Sequence, residues 1–222
     1  MKIKHPCVLL FCLLLFSPSF VTAQESVDLS IGLGRASLDS TGYGIYDSTS
    51  PYAFQSCILG SGDQSCKATP SLDGLFLGFS GTVMLSEYFG IGAQFNFQPT
   101  KDDYGPLEYR QTFYDFNAIF APLNRDRVVF ELQGGLGGAK TGFSYTQTSC
   151  VGTAVCSTYT DSVGNSNHFQ LHAGAGLKLF LTDNIFVQPQ FDLHYVPNFT
   201  DQFGGNTVPR GSIFIGFRQA VN

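Results

Sequence analysis

Apolar and polar residues alternate with a period of two along most of the chain. The clearest case is residues 168–196, "HFQLHAGAGLKLFLTDNIFVQPQFDLHYV", where two alternating runs flank a short polar break. Such alternation is typical of β-strands that bury one face, and no long stretch shows helical apolar spacing. Eight segments have this pattern: Val27–Ala36, Leu75–Leu85, Phe89–Gln98, Arg110–Phe120, Val128–Ala139, His168–Leu181, Ile185–Val196 and Ser212–Ala220.

The connections between these segments alternate between long and short. The long, Gly/Ser/Thr-rich ones are residues 37–74, 99–109, 140–167 and 197–211, and the short ones are residues 86–88, 121–127 and 182–184. Each segment is close to the about 9–11 residues that a tilted membrane-spanning strand needs. An antiparallel up-and-down arrangement therefore places every long loop at one end of the sheet and both termini at the other.

The two faces of the predicted strands differ in chemistry. One face carries Leu, Ile, Val and Phe, whereas the other carries amides, glycines and a few charges, as at Gln94, Asn96, Gln188 and Gln190. A surface in water would carry more Lys and Glu, yet charged residues form only 13% of the chain against about a quarter in an average protein. The pattern favours an all-β membrane barrel with its apolar face toward lipid. A soluble barrel around an apolar ligand and a β-sandwich core are the alternatives.

The first 23 residues have the pattern of a secretory signal peptide. Lys2 and Lys4 precede an apolar run, and Ala23 is the small residue before the expected cleavage. Residues 24–222 then form the predicted barrel domain. Because cleavage removes two cations and no acid, the formal net charge falls from −5 to −7. Such an acidic chain is a poor candidate for binding nucleic acid.

Four cysteines remain after cleavage: Cys57, Cys66, Cys150 and Cys156. Export makes disulfides the expected state. Of the three possible pairings, we favour Cys57 with Cys66 and Cys150 with Cys156, because each closes a short loop within one polar segment. A four-cysteine zinc site would need two distant segments to converge and a closer spacing of the cysteines.

Two stretches carry features of a known family. From Gly174, "GAGLKLFLTDNIFVQPQFDLHYV" joins a glycine-rich strand, a tight turn and a strand with a central proline, and "VVFELQGGLGGAK" begins at Val128. In this order they resemble the small outer-membrane barrels of the OmpA, OmpX and opacity-protein type. The resemblance implies an eight-stranded antiparallel up-and-down transmembrane β-barrel in the bacterial outer membrane. It also implies a monomer whose partner is outer-membrane lipid.

The sequence departs from this family at two places. Pro189 cannot donate to a strand ladder, which predicts a bulge at that position. Family members commonly end on an aromatic residue, whereas this chain ends "FIGFRQAVN" and places Phe217 five residues before its end. The final apolar positions still fit the lipid-facing pattern.

The polar face carries charged residues that predict ion pairs inside the barrel. The acids are Asp28, Asp115, Glu131 and Asp192, the cations are Lys178, Arg218 and Arg35, and His194 lies on the same face. Buried charges are tolerated when they are paired and hydrogen-bonded. We therefore expect a network that closes the lumen. The alternative is a charged gate in a narrow, porin-like pore.

Catalytic, cofactor and metal motifs find little support. His168 and His172 share a face of one strand but lie about 13 Å apart at roughly 3.3 Å per residue, too far to share an ion. No serine accompanies His194 on its face, and the glycines from Gly135 to Gly138 lie within a strand rather than before a helix. We predict a protein without a cofactor that is not an enzyme.

The long loops are the predicted site of function. Their tyrosines suit partner binding, and the candidates are Tyr43, Tyr46, Tyr52, Tyr145 and Tyr159. Disulfides in the same loops would keep the displayed surface defined. We expect a structural and surface-interaction role, adhesion or recognition, with an extracellular or host ligand. A narrow gated pore and a secreted barrel that binds an apolar ligand are the alternatives.

Overall fold

The computed structural model describes residues 26–38, 43–47, 51–53, 55–68, 72–104, 106–151 and 155–221, so the predicted signal peptide lies outside the described residues. The strands are β1 (Ser26–Ala36), β2 (Tyr43–Tyr46), β3 (Ser56–Ile58), β4 (Cys66–Ala68), β5 (Leu75–Met84), β6 (Phe89–Phe97), β7 (Asp102–Tyr104), β8 (Leu107–Arg125), β9 (Val128–Val151), β10 (Val155–Phe180), β11 (Ile185–Tyr195) and β12 (Thr207–Ala220). A short helix, α1 (Thr200–Phe203), precedes β12. Within the described ranges, no helix has the length and apolar character required to span a membrane.

Eight strands form a closed antiparallel ring. Their order is β1, β5, β6, β8, β9, β10, β11 and β12, and β12 pairs back to β1. Strands β2, β3 and β4 make a separate small sheet in the connection between β1 and β5, and β7 pairs with β8. Closing the ring removes the exposed edges that an open sheet would have. The predicted eight-stranded up-and-down barrel is confirmed.

The hairpin of β9 and β10 differs from the prediction. Residues 140–167 were expected to form a loop, yet the ladder continues to the pair Val151 and Val155. Threonines support it from opposite strands, with hydroxyl oxygens 2.9 Å apart in Thr146–Thr160 and in Thr148–Thr158. Such cross-strand pairs stabilise a sheet without apolar residues. The period-two signal is missing because both faces of this extension are polar.

The strands place their apolar side chains outside and their polar side chains inside. Leu29, Phe116 and Leu181 are each more than 60% exposed, whereas Glu131 and Asp192 inside the ring are 0% exposed. An outer wall of this composition suits hydrocarbon. The register aligns four aromatic residues on that wall, with Gly138 of β9 between the last two. We call them the upper aromatic row: Phe79, Phe95, Tyr114 and Phe169.

A second aromatic group lies toward the short turns. Phe89 and Phe120 stack there with ring centroids 5.1 Å apart. Aromatic side chains therefore lie on the outer wall at two levels of the strands, as is common in membrane barrels.

The bulge predicted at Pro189 is wrong. The ladder of β10 and β11 pairs Gly176 with Gln190 and, beyond the proline, Leu179 with Val187, so the offset is the same on both sides. Pro189 faces outward opposite Ile213 of β12. The chain accommodates the missing N–H by interrupting the ladder locally, without inserting a residue.

Candidate functional site

The interior of the barrel is filled in three zones. Toward the long loops lies an apolar group, here the mouth cluster: Ala36, Ile45, Leu72, Phe76, Tyr104, Leu107, Tyr109, Phe113, Ala139, Val196, Phe199, Phe203 and Val208. Toward the short turns lies the floor cluster: Met84, Ile119, Ala121, Val129, Phe180 and Phe186. Buried polar side chains occupy the space between them.

An ion cluster sits directly against the floor cluster. The Lys178 Nζ lies 2.6 Å from an Asp28 oxygen and 2.5 Å from a Glu131 oxygen. Arg218 donates to both oxygens of Asp28, at 2.7 and 2.8 Å. The Lys178 and Arg218 cations also lie 5.2 and 4.7 Å from the ring centroids of Phe186 and Phe180. Two acids and two cations thus neutralise one another in a nearly water-free space.

A second polar group is built around Asp192. Arg210 Nη2 lies 2.5 Å from one Asp192 oxygen, and His172 Nε2 lies 3.0 Å from the other. Gln190 donates to that second oxygen at 2.7 Å. His172 Nδ1 lies 2.8 Å from the Asn117 side-chain oxygen. Both nitrogens of His172 therefore face oxygen acceptors.

His194 and Asp115 form the third polar group. His194 stacks between Phe113 and His172, with centroid distances of 4.5 and 4.9 Å. Its Nδ1 lies 3.8 Å from an Asp115 oxygen, and neither ring nitrogen has a hydrogen-bond partner among the described residues. Gln170 donates to Asp115.

Asp115, His172 and His194 bring possible metal-ligand atoms within 4.8 Å of one another. The trio nevertheless does not fit a metal ion. The two imidazole planes are only 22° apart in a stack, and a histidine binds a metal through a lone pair in its ring plane, so stacked rings do not converge on one ion. Both His172 nitrogens are also engaged, and the Arg210 cation binds the neighbouring Asp192.

The structure brings the predicted lumen charges together with two differences. Arg35 faces outward and pairs with Asp73, so it is not a lumen residue. Arg210, which the prediction placed in a loop, is buried with 1% exposure. Its signal was present in the sequence, because Arg210 is in phase with Ser212 and Phe214, the inward positions of β12.

Above the mouth, the described parts of the first long connection form a small sheet. Strand β2 lies between β3 and β4, and the Cys57–Cys66 disulfide joins the two outer strands. Cys150 and Cys156 stand directly opposite each other in β9 and β10. The side chain of Cys150 lies outside the described residues, so this second disulfide stays a prediction.

The predicted loop tyrosines differ in exposure. Tyr52 is 56% exposed and packs with Tyr46 at 5.6 Å between ring centroids, and Tyr159 is 50% exposed with its hydroxyl donating to Gln147. Tyr145 packs partly buried against the mouth cluster. The side chain of Tyr43 lies outside the described residues.

Tyr104 closes the mouth beneath these loops. Its ring contacts Phe143 and Phe203, with centroids 5.0 and 5.4 Å away, and its hydroxyl donates to the Gln202 carbonyl. Burial raises the pKa of the Tyr104 phenol, so it remains a neutral donor. The mouth is therefore sealed by aromatic packing.

The family comparison agrees with this architecture. Residues 7–212 match the family model described as the outer membrane protein beta-barrel domain. The chain belongs to this family. The barrel is therefore assigned to the bacterial outer membrane, with its short turns toward the periplasm and its long loops toward the exterior. No curated protein matches the chain.

Solved outer-membrane proteins are similar to this barrel at low identity. The N-terminal β-barrel domain of OprF from Pseudomonas aeruginosa is 14% identical, covering 88% of this chain and 98% of that one, with a TM-score of 0.49. Ail from Yersinia pestis, in complex with the heparin analogue sucrose octasulfate, is 13% identical over 88% and 99%, with a TM-score of 0.47. OprG from P. aeruginosa is 13% identical over 90% and 99%, with a TM-score of 0.47.

Proposed function

We propose that this barrel is a closed, monomeric scaffold of the bacterial outer membrane that presents its extracellular loops for adhesion or recognition. In this proposal the signal peptide directs export and is cleaved near Ala23, and the partners are outer-membrane lipid and an extracellular or host ligand. The barrel acts without a cofactor and without enzymatic activity. The observation that carries the proposal is the filled lumen below an ordered loop surface.

The filling of the lumen supports a closed barrel. A solute would have to separate the aromatic side chains of the mouth cluster, then the ion cluster, and then the floor cluster. Breaking the ion cluster would leave desolvated charges without partners, which is costly in a space of this kind. An eight-stranded ring is narrow enough for side chains to fill it completely.

The loop surface supports recognition. Hydrogen-bonded strands build the described parts of the first and third long connections: sheet β2–β4 with its disulfide, and the β9–β10 hairpin. Exposed Tyr52 and Tyr159 offer large contact areas with little side-chain entropy to lose.

Single-channel recording in planar bilayers separates a closed scaffold from a narrow gated pore, the alternative role. The closed barrel gives no unitary steps, and Lys178→Met and Glu131→Gln leave the trace unchanged. Steps whose size responds to these two substitutions would overturn the closed scaffold and assign a charge-lined pathway.

Attachment of cells that display the barrel to host cells and to matrix-coated plates tests the recognition role. Tyr52→Ala with Tyr159→Ala is expected to lower attachment, whereas Tyr88→Ala is the matched control because Tyr88 is exposed in a periplasmic turn. Equal attachment of wild type, the double variant and cells lacking the barrel would reject adhesion to those surfaces.

A further inference from the structure

The lipid-facing wall contains a dent across β5, β6 and β8. Two cavities of about 540 and 600 Å³ meet there and share Gly81, Ala93 and Phe116. The dent exists because Gly81 and Ala93 are directly opposed in the register, between larger side chains on both sides. Phe79 and Phe95 form its upper limit, whereas Val83 and Ile91 line its lower part.

The shape of the dent suits an extended hydrocarbon chain. It runs along the strands rather than into the lumen, and its lining is almost wholly apolar. On an otherwise convex wall, a chain lying in it contacts protein on several sides and gains dispersion contacts that a chain elsewhere on the wall lacks. The dent alone does not select one kind of lipid.

Two exposed cations lie above the dent, and their charge can select a lipid with an anionic headgroup. Lys140 stands opposite Thr112 and Arg110 opposite Gly142, so the two cations are diagonal neighbours on the outer face of β8 and β9. Arg110 also donates to the Pro99 carbonyl at 3.2 Å, which keeps its guanidinium above the end of β6. Neither cation has a carboxylate within 4 Å among the described residues.

The nearby acids do not cancel this pair. Glu108 is the neighbouring outward acid on β8, and it is held by Lys101 at 3.0 Å and by the Thr146 hydroxyl at 2.8 Å. These contacts keep the pKa of Glu108 below its usual value. Asp103 of β7 stands directly opposite Glu108, so it lies next to Glu108 and Lys101 rather than next to the two cations. Arg110 and Lys140 lie where the β6–β8 ladder ends, at the pair Phe97 and Thr112, which is the end of the barrel that lipid headgroups are expected to surround.

We propose that this wall binds one phospholipid of net negative charge, with its phosphate on Arg110 and Lys140 and one acyl chain in the dent below. Tyr114 of the upper aromatic row lies between the two parts, on the same face of β8 as Arg110 and Phe116. The site is independent of the loop recognition described above. It makes the barrel selective among the lipids that surround it.

Native mass spectrometry of the folded barrel tests the site. The barrel is reconstituted in phosphatidylcholine nanodiscs that contain a minor share of phosphatidylglycerol, then released for counting of retained lipids. The wild type is expected to keep one phosphatidylglycerol in preference to phosphatidylcholine. Arg110→Gln and Lys140→Gln each lower this preference about fivefold, the share of one cation near a lipid surface.

A second pair of variants tests the dent. Ala93→Phe fills it and is expected to lower retention of either lipid, whereas Ala173→Phe enlarges an outward residue on β10 and leaves retention unchanged. Arg125→Gln and Arg127→Gln, each made singly at the periplasmic end, are the charge-matched controls and keep the preference. Gel mobility with and without boiling verifies that each variant folds, and Lys140→Gln alone tests the proposal if Ala93→Phe does not fold.

Four outcomes would overturn the proposal. The first is retention without preference for phosphatidylglycerol in the wild type. The second is an equal loss in the periplasmic controls, which would show a general charge effect. The third is displacement of the lipid by inorganic phosphate alone, and the fourth is a dimer that forms in place of the lipid complex. The former would assign a free-anion site, and the latter a second copy of the barrel, to this wall.

Discussion

At the scale of single residues, Lys178 is the centre of the charge balance in the lumen. It contacts two carboxylates, and only Asp28 has Arg218 as a further cation, whereas the second oxygen of Glu131 has no hydrogen-bond partner among the described residues. Removing Lys178 therefore leaves the Glu131 carboxyl buried without its cation. The consequence exceeds that of losing an ordinary surface ion pair.

We predict that Lys178→Met destabilises the barrel by about 3–5 kcal/mol, because one partner of a buried pair is removed. Adding Glu131→Gln is expected to recover part of this loss, since it removes the abandoned charge. Urea unfolding in lipid vesicles, followed by far-ultraviolet circular dichroism, measures both. Equal stability of Lys178→Met and the wild type would show that water reaches this cluster.

Two glycines of β9 make a matched pair of predictions. A Cβ on Gly137 would stand 1.8 Å from the Tyr114 carbonyl oxygen, whereas a Cβ on Gly134 would meet nothing within 4 Å. Gly137→Ala is therefore expected to separate β8 from β9 and cost about 1–3 kcal/mol. Gly134→Ala is neutral or slightly stabilising, because it restricts the unfolded chain. The same unfolding assay ranks them, and the reverse order would disprove this packing.

At the scale of elements, the extracellular units are attached to the barrel without being needed to close it. The ring pairs β8 with β9 only as far as Glu108 and Ser144, and beyond this pair the β9–β10 hairpin stands on its own ladder. Apart from Tyr145, its described side chains at residues 146–148 and 156–160 are exposed, so this part of the hairpin adds little apolar burial to the barrel.

Replacing residues 146–160 by a short turn is accordingly expected to leave the barrel folded, since loop tips outside the packed region tolerate such changes. The variant keeps the faster gel mobility of the unboiled wild type. If the unboiled band disappears, the hairpin takes part in barrel assembly.

The Cys57–Cys66 disulfide is expected to stabilise the small β2–β4 sheet and not the barrel itself. Cys57→Ser with Cys66→Ser removes a constraint on a short loop worth about 2–3 kcal/mol. Limited proteolysis of intact cells is expected to cut the β2–β4 sheet faster in this variant, whereas the unboiled barrel band stays unchanged. Unaltered cutting would mean that the sheet is held by its packing alone.

The sequence predicted the ring strands because each has one apolar and one polar face, and this contrast is written in alternate residues. It missed the outer half of β9 and β10, since threonine and serine on both faces leave no contrast to detect. It missed Phe199, Phe203 and Tyr104 in the mouth cluster for a related reason: they come from connections, and only tertiary contacts bring them over the lumen. Arg210 was missed because β12 begins five residues earlier than predicted.

At the scale of the whole molecule, the barrel has an apolar outer wall and a polar interior, and the mouth and floor clusters close the two ends of that interior. This arrangement predicts extraction from the outer membrane only by detergent, with a heat-dependent shift in gel mobility. Fractionation and electrophoresis with and without boiling measure both. Recovery in the periplasm without detergent, and without the shift, would contradict the lipid-facing wall.

The contact between Asp28 and Arg218 joins the first strand of the barrel to the last. The two residues are directly opposed in the β1–β12 register. A slip of one residue at this junction would turn the apolar face of the strand inward. A slip of two residues would keep each face on its side of the sheet but would separate Asp28 from Arg218. Only one alignment satisfies both conditions. The ion pair therefore favours the one register of β1 and β12 in which the barrel closes with its apolar face toward lipid.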